Sequence, residues 1–302
     1  MVMNKKKKNF NLTRPTGVDV FLMAILILIA ILTLLPFYQV LLLSFSDVVS
    51  YAEHPVYLWL YKLDFTGYKT VFSDPSFFKS LGVTLFVTVV GTVISMFLSV
   101  CGAYVLSRKT LFGRKVFLSL VAFTLWFGGG MIPSYLVIKS LGLIDTIWCM
   151  ILPNAISTYY LIIMKNHFVA FPDSLLEAAK LDGANEATIL TKVVLPVSKP
   201  FMATFILFYG VERWNEWYLC NLYVSKKDLY TLQIYLREVL INMSNTLSSI
   251  AKQIMQQFSQ QKVSTVAIQM AAIIIATIPI LCVYPFVQKH FVKGVMTGSV
   301  KE

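Results

Sequence analysis

Six stretches of this chain are apolar almost throughout, and its polar residues collect between them. They run from Val20 to Leu43, Ser80 to Leu106, Val116 to Ile138, Ile147 to Met164, Pro200 to Leu219 and Val266 to Phe286. Crossing ~30 Å of hydrocarbon takes about 20 helical residues, so each stretch predicts one membrane-spanning helix. In such continuous apolar runs only a helix satisfies its own backbone groups, which excludes a barrel. The expectation is an all-α polytopic membrane bundle of six transmembrane helices, a single transmembrane domain over residues 1–302.

Composition supports that pattern. Hydrophobic residues make up 57% of the chain and charged residues 14%, outside the range of soluble domains. A net charge of +11 raises the possibility of nucleic acid. The basic residues, however, are scattered between apolar runs and form no aromatic-interleaved face, so nucleic acid is set aside. Cys101, Cys149, Cys220 and Cys282 stand apart from one another, which suggests small buried hydrophobes and neither a disulfide framework nor a metal site. Lys5 to Lys8 precede the first run, which is too long for a signal-peptide core and has no small-residue cleavage pattern, so it reads as a retained span.

Lysine and arginine set the orientation, because cytoplasmic loops carry the excess. With the amino terminus inside, the clusters Lys5 to Lys8, Arg108 with Lys109, Arg114 with Lys115, and Lys289 with Lys293 share the cytoplasmic face. Both termini then lie in the cytoplasm, in segments 1–19 and 287–302, and residues 165–199 form one long cytoplasmic loop. Ser44 to Lys79 and Cys220 to Thr265 lie outside. The second run bears Thr84, Thr88 and Thr92 on one line and Gly91, Ser95 and Ser99 on another. Such stripes permit close helix approach, within this chain or against a second subunit.

The internal loop reads as two short helices meeting at a corner. Ser174 and Glu177 have capping-box spacing, Gly183 can end the first helix in the left-handed conformation, Asn185 can cap the second, and Pro196 stops it. Small Ala178 and Ala179 on its surface suit a docking site equally as well as plain helix formation.

A second group of residues converges on the outer half of the membrane when helix rise is counted at ~1.5 Å per residue. Gly128 to Gly130 and Pro133 loosen backbone pairing, which at membrane depth is tolerated only against protein or a water-filled cavity. Near them fall Asn154, Trp214, Asn215 and Trp217, with the costly ionisable groups Glu212, Arg213 and Glu216. Aromatic rings can take the C–H face of a pyranose while amides and carboxylates bind its hydroxyls. Trp126, Gly129, Asn154, Tyr159, Tyr160, Arg213, Trp214, Asn215, Glu216 and Trp217 are therefore the candidate substrate path. The plainer alternative makes the aromatics interface anchors and pairs Arg213 with Glu212 or Glu216. His54, His167 and His290 stand alone and read as solvated surface residues.

Glu177-Ala-Ala, Asp182-Gly-Ala and Val193-x-Leu-Pro196 resemble the EAA loop of permease subunits in binding-protein-dependent ABC importers, with Val193 in place of the usual isoleucine. The resemblance implies a coupling helix seated in a groove of the ATP-binding subunit. Glu177 would be the acidic contact, Ala178 and Ala179 the close-packed surface, Gly183 the corner, and Asp182 and Ala184 its flanks. Pro55 to Trp59, Gly129 to Pro133, Trp214 to Trp217 and Lys293 to Gly298 are similar to the maltose-type carbohydrate-uptake permeases, nearest the LplC-like oligosaccharide branch.

That family implies a type I, MetI-like fold in the bacterial cytoplasmic membrane, importing a carbohydrate. It also implies a homologous permease as heterodimer partner, two ATP-binding subunits and an extracytoplasmic sugar-binding protein, with the tail reaching the ATP-binding dimer. The sequence carries no glycine-rich phosphate loop, so this chain is expected to have no catalytic site or cofactor, and ATP and Mg belong to partner subunits. Two alternatives stay open: an importer permease for peptides, amino acids or anions, and an ion-coupled secondary transporter, which inverted repeats would have favoured.

Overall fold

Polar residues at the ends of the apolar runs set where the helices begin. The computed structural model describes residues 16–47, 58–241 and 265–298, with side chains as far as Cys282. Lys5 to Lys8, His54, Pro55 to Tyr57 and the side chain of His290 lie outside the described residues. Two compact units are formed, Met1–Gly67 with Gln261–Ile274, and Tyr68–Gln260 with Ile275–Glu302.

In the first unit, helix α1 (Gly17–Ser44) starts at a capping box, where the backbone N–H and hydroxyl of Thr16 both donate to Asp19 Oδ2 at 2.8 Å. It is apolar all round and almost wholly exposed, as a helix surrounded by lipid should be. The chain after it folds back: Asp64 N–H reaches the Phe45 carbonyl at 2.9 Å, and the Phe45 and Phe65 rings meet edge to face. Gly67 lies against the Ala267 backbone, which a Cβ at position 67 would approach to 2.9 Å.

The second unit is organised on α3 (Pro75–Ser107), which follows α2 (Thr66–Ser73). Asp74 caps it by accepting from Ser76 N–H at 2.9 Å, and Pro75 occupies the first turn, where no N–H is needed. Two buried clusters form along it. One joins Val100, Ala103 and Tyr104 to Met164, Phe168, Leu176, Ile189 and Phe205; the other joins Val87 to Met150, Ile151, Leu219 and Tyr223. Between them Thr84, Gly91, Thr92, Ser95 and Ser99 are buried, so this small-residue stripe packs within the chain.

Three of the predicted spans are interrupted. Val116 to Ile138 is two helices, α4 (Arg114–Trp126) and α5 (Met131–Ser140), bent by 117°. The three glycines supply the break, and Gly130 has φ of +86°, open to glycine alone at little cost. Ile147 to Met164 holds a 3₁₀ turn (Ile147–Met150) and no further helix before α6 (Thr158–Val169), because Pro153 has no N–H to continue the ladder. Pro200 to Leu219 ends early, at Trp214 of α9 (Lys199–Trp214), after α7 (Asp173–Leu181) and α8 (Glu186–Val197). Beyond it come α10 (Tyr218–Tyr223), α11 over residues 232–241, and α12 (Thr265–Gly298). Among the described residues two unbroken helices, α1 and α3, are long and apolar enough to cross a membrane, or up to four spans if each bent pair counts as one. No strand occurs among the described residues. Cys149 and Cys220 are buried, whereas Cys101 is half-buried and Cys282 exposed, so the expectation of burial holds for two of the four.

Candidate functional site

The internal loop is built from behind and left open in front. Helix α7 starts two residues earlier than its sequence suggests: Pro172 is the cap, Asp173 the first residue, and the capping box of Ser174 and Glu177 does not form. The Pro172 carbonyl accepts from Leu175 N–H at 3.2 Å, in place of a side-chain cap. The other end closes as a Schellman motif. Gly183 has φ of +79°, its N–H donates to the Lys180 carbonyl, and Ala184 N–H donates to the Ala179 carbonyl, both at 3.0 Å. Asn185 Oδ1 accepts from Thr188 N–H at 2.8 Å and begins α8.

Leu176 faces the core, while Glu177, Ala178, Asp182 and Gly183 are exposed and Ala179 and Ala184 half-buried. Leu181 at the tip is 89% exposed. Among the described residues Glu177 makes no ion pair or side-chain hydrogen bond.

The acid that fastens this loop is Glu186, which the sequence motif does not single out. It accepts from Tyr104 Oη at 2.7 Å and pairs with Arg108 at 3.2 Å, both from the end of α3, and with Lys180 of α7 at 3.0 Å. The Tyr104 hydroxyl foremost, then Lys180, holds its carboxyl below the usual glutamate value. Lys109 adds an exposed pair to Asp173 at 3.3 Å.

Helix α8 runs on through Pro196, contrary to the expected stop. Residues Ile189–Val194 form a π turn, and Leu195–Val197 continue the helix through Pro196. The chain turns by 88° only at Ser198, before α9. His167, expected at the surface, marks this turn: its ring stacks on Phe201 at 3.8 Å and its Nε2 lies 3.1 Å from Ser198 Oγ.

The candidate path residues divide by burial. Arg213 is 3% exposed and donates to three backbone carbonyls of the interrupted stretch, Met150 at 2.7 Å, Ile151 at 3.2 Å and Asn154 at 2.5 Å, and to Ser95 Oγ at 3.2 Å. Neither Glu212 nor Glu216 pairs with it. Glu212 accepts from Tyr160 Oη at 2.5 Å, and Glu216 Oε1 from Leu219 N–H at 2.8 Å. An ion left among unpaired carbonyls is costly on both sides, and here each satisfies the other.

Trp214 is 6% exposed and its indole N–H has no partner among the described residues. Asn154, Tyr159, Asn215 and Trp217 are exposed, Tyr160 and Glu216 half-buried. Trp126, 91% exposed, ends α4, whose Thr124 Oγ1 lies 3.0 Å from Thr158 Oγ1 of α6, and Gly129 is exposed in the break that follows. Tyr209 went unnoticed in the sequence: it is buried, lies 2.7 Å from Ser99 Oγ and accepts from Ser157 N–H at 3.1 Å, joining α9 to α3 and to the start of α6.

No protein-family model matches the chain. It is 44% identical over 283 residues, 94% of its length and 98% of the relative's, to the polygalacturonan/rhamnogalacturonan transport system permease protein YtcP of Bacillus subtilis. Protein LplC of the same organism is 43% identical over 270 residues, 89% of this chain and 90% of that protein. Among solved structures the chain is similar to one in a bacterial ABC transporter involved in the import of the acidic polysaccharide alginate. There the TM-score is 0.84 at 33% identity, covering 92% of this chain and 98% of the other.

Proposed function

The chain belongs to the permease family of sugar ABC transporters, and from that membership we propose that it carries an acidic oligosaccharide into the cell. Membership removes the ion-coupled transporter and leaves carbohydrate as the solute class. The charge of the sugar is supported by two relatives whose names specify uronate polymers, polygalacturonan and alginate. Such polymers present one carboxylate on most residues together with the C–H faces that aromatic rings accept.

On this reading the chain pairs with a homologous permease, and an extracytoplasmic sugar-binding protein delivers the solute. Six spans, formed by α1, α3, the bent pair α4 and α5, residues 147–169, α9 and α12, leave both termini in the cytoplasm. ATP and Mg are held by two partner subunits. The observation that carries the coupling role is the surface left over at the Gly183 corner. Glu177, Ala178 and Leu181 are exposed there while Leu176 and the Glu186 clamp fasten the loop from behind. A rigid tip with an unused apolar and acidic face is suited to a groove on an ATP-binding subunit. The path would run past Trp126, Tyr159, Tyr160, Asn215 and Trp217, with Arg213 and Trp214 as its buried support.

The test is uptake of labelled oligogalacturonides by the complete transporter in proteoliposomes. ATP-dependent accumulation is expected, with cysteines at positions 60 and 227 labelled from outside and those at 110 and 180 protected. Accumulation of neutral oligosaccharides alone overturns the assignment of charge, and labelling at 180 in sealed right-side-out vesicles overturns the orientation.

A further inference from the structure

Helix α11 presents Gln233 and Arg237, four residues apart and so on one face, to the segment that follows α9. The Arg237 guanidinium lies over the Trp217 indole, 5.3 Å from its centroid, and one of its terminal nitrogens is 3.5 Å from Asn221 Oδ1. Gln233 Nε2 is 3.4 Å from Asn215 Oδ1. Tyr218 meets the Trp217 ring edge-on at 5.9 Å.

The cation at the centre of this group has no ion pair among the described residues. Glu216, the acid of the facing segment, is turned to the Leu219 N–H. Glu238, its neighbour in sequence, lines a cavity of about 280 Å³ with Asp74 and Tyr235. A guanidinium has five N–H donors, and among the described residues one of them has a partner, at the long end of hydrogen bonding. The Trp217 ring lies under the guanidinium carbon, and apart from the long contact to Asn221 the remaining N–H groups can meet a planar anion at two points. Lysine would offer the charge without the fork.

We infer that Arg237, stacked on Trp217 and flanked by Asn221, Gln233 and Asn215, forms a subsite that binds the carboxylate of a uronate residue and so selects acidic over neutral oligosaccharides. This rests on the reading of the chain as a carrier of acidic sugar. The group matches what a uronate presents: a carboxylate for the guanidinium, hydroxyls for the three amide side chains, and a C–H face for the aromatic pair. A carboxylate on the delivering receptor offers the same chemistry, and the experiment separates the two sources.

Uptake of trigalacturonate and of its carboxyl-reduced, neutral counterpart is measured in proteoliposomes holding the complete transporter with saturating receptor, alongside receptor affinity for the transporter. Arg237→Gln is expected to lower trigalacturonate uptake about tenfold, the loss of one charge-assisted bidentate contact. Uptake of the neutral trimer and receptor affinity should stay within about twofold, and Arg237→Lys should recover part of the loss. Equal losses for both trimers, unchanged trigalacturonate uptake, or a matching loss of receptor affinity each overturn the subsite. A wild-type transporter that takes up only neutral sugar overturns the substrate reading first and the subsite with it. Uptake of trigalacturonate by wild type and Arg237→Gln alike overturns the subsite alone.

Discussion

Gly91 gives Arg213 its place: a Cβ at position 91 would stand 3.2 Å from both Cδ and Nε of the arginine. The guanidinium beyond that contact is the donor for three carbonyls of residues 150–154 that no helix satisfies. One glycine on α3 and one arginine on α9 thus allow a non-helical segment to be buried.

Removing the arginine should cost more than removing a charge from a surface. Arg213→Met leaves the buried Met150 and Ile151 carbonyls without their donor, at about 1–3 kcal/mol each, and is expected to lower folded protein and its melting temperature in detergent. Gly91→Leu should do the same by displacing the side chain, and Arg213→Lys should fall between. A melting temperature unchanged in Arg213→Met would show that water replaces the guanidinium.

The corner at Gly183 offers a test of coupling. A side chain with a Cβ is strained at φ of +79°, by about 1–2 kcal/mol. Gly183→Val and Glu177→Lys are both expected to leave the membrane helices assembled and to reduce sugar-stimulated ATP hydrolysis at least several-fold. Glu177→Gln should cost less, since no capping box depends on it. Wild-type hydrolysis in both Gly183→Val and Glu177→Lys, at matched protein amounts, removes the coupling role.

Glu186 predicts a dependence on pH. Its carboxyl is held below the ordinary value, chiefly by Tyr104 and then by Lys180, so the ionised form is favoured in the folded loop. That contribution is fully present above the unfolded glutamate value, near pH 4.5, and is lost as pH falls through the lower folded value. Protection of the amides of residues 173–197, corrected for their intrinsic exchange rates, should fall on acidification in the wild type. In Glu186→Gln that corrected protection should already be lower at pH 7 and respond little to acid.

Trp214 and Asn215 adjoin in sequence and should behave differently. Trp214→Ala opens a cavity in a buried site at about 3–5 kcal/mol and should reduce the amount of assembled complex. Trp214→Phe loses no hydrogen bond and should be tolerated, because the indole N–H has no partner. Asn215→Ala and Trp217→Ala, at exposed positions, should reduce uptake more than assembly. Normal uptake in both would move the path elsewhere.

What was legible in the sequence followed from uninterrupted patterns. α1 and α3 are unbroken apolar runs, and their helices appear as read. The Gly183 corner and the Asn185 cap were legible because each depends on one residue's conformational chemistry. The break at Gly128 to Gly130 was announced by its glycines, but its angle was not, since angle depends on what packs on either side.

The stretch from Ile151 to Ser157 was hidden by its own hydrophobicity. Its carbonyls are satisfied by Arg213, some 60 residues later, and no local pattern reports that. An arginine inside one apolar run together with Pro153-Asn154 inside another was the available signal. Glu186 was overlooked for a related reason: its partners Tyr104 and Arg108 come from another helix, while the motif drew attention to Glu177.

The π turn at Ile189–Val194 turns sequence length into an angular setting. Such a turn holds one residue more than an α turn, so everything before it is rotated by about 100° relative to everything after it. Deleting a single residue there would restore an ordinary helix of nearly the same reach and swing the Gly183 corner a quarter-turn around the axis of α8. The direction in which the loop presents its tip is therefore governed by counting, independently of any side chain on its surface.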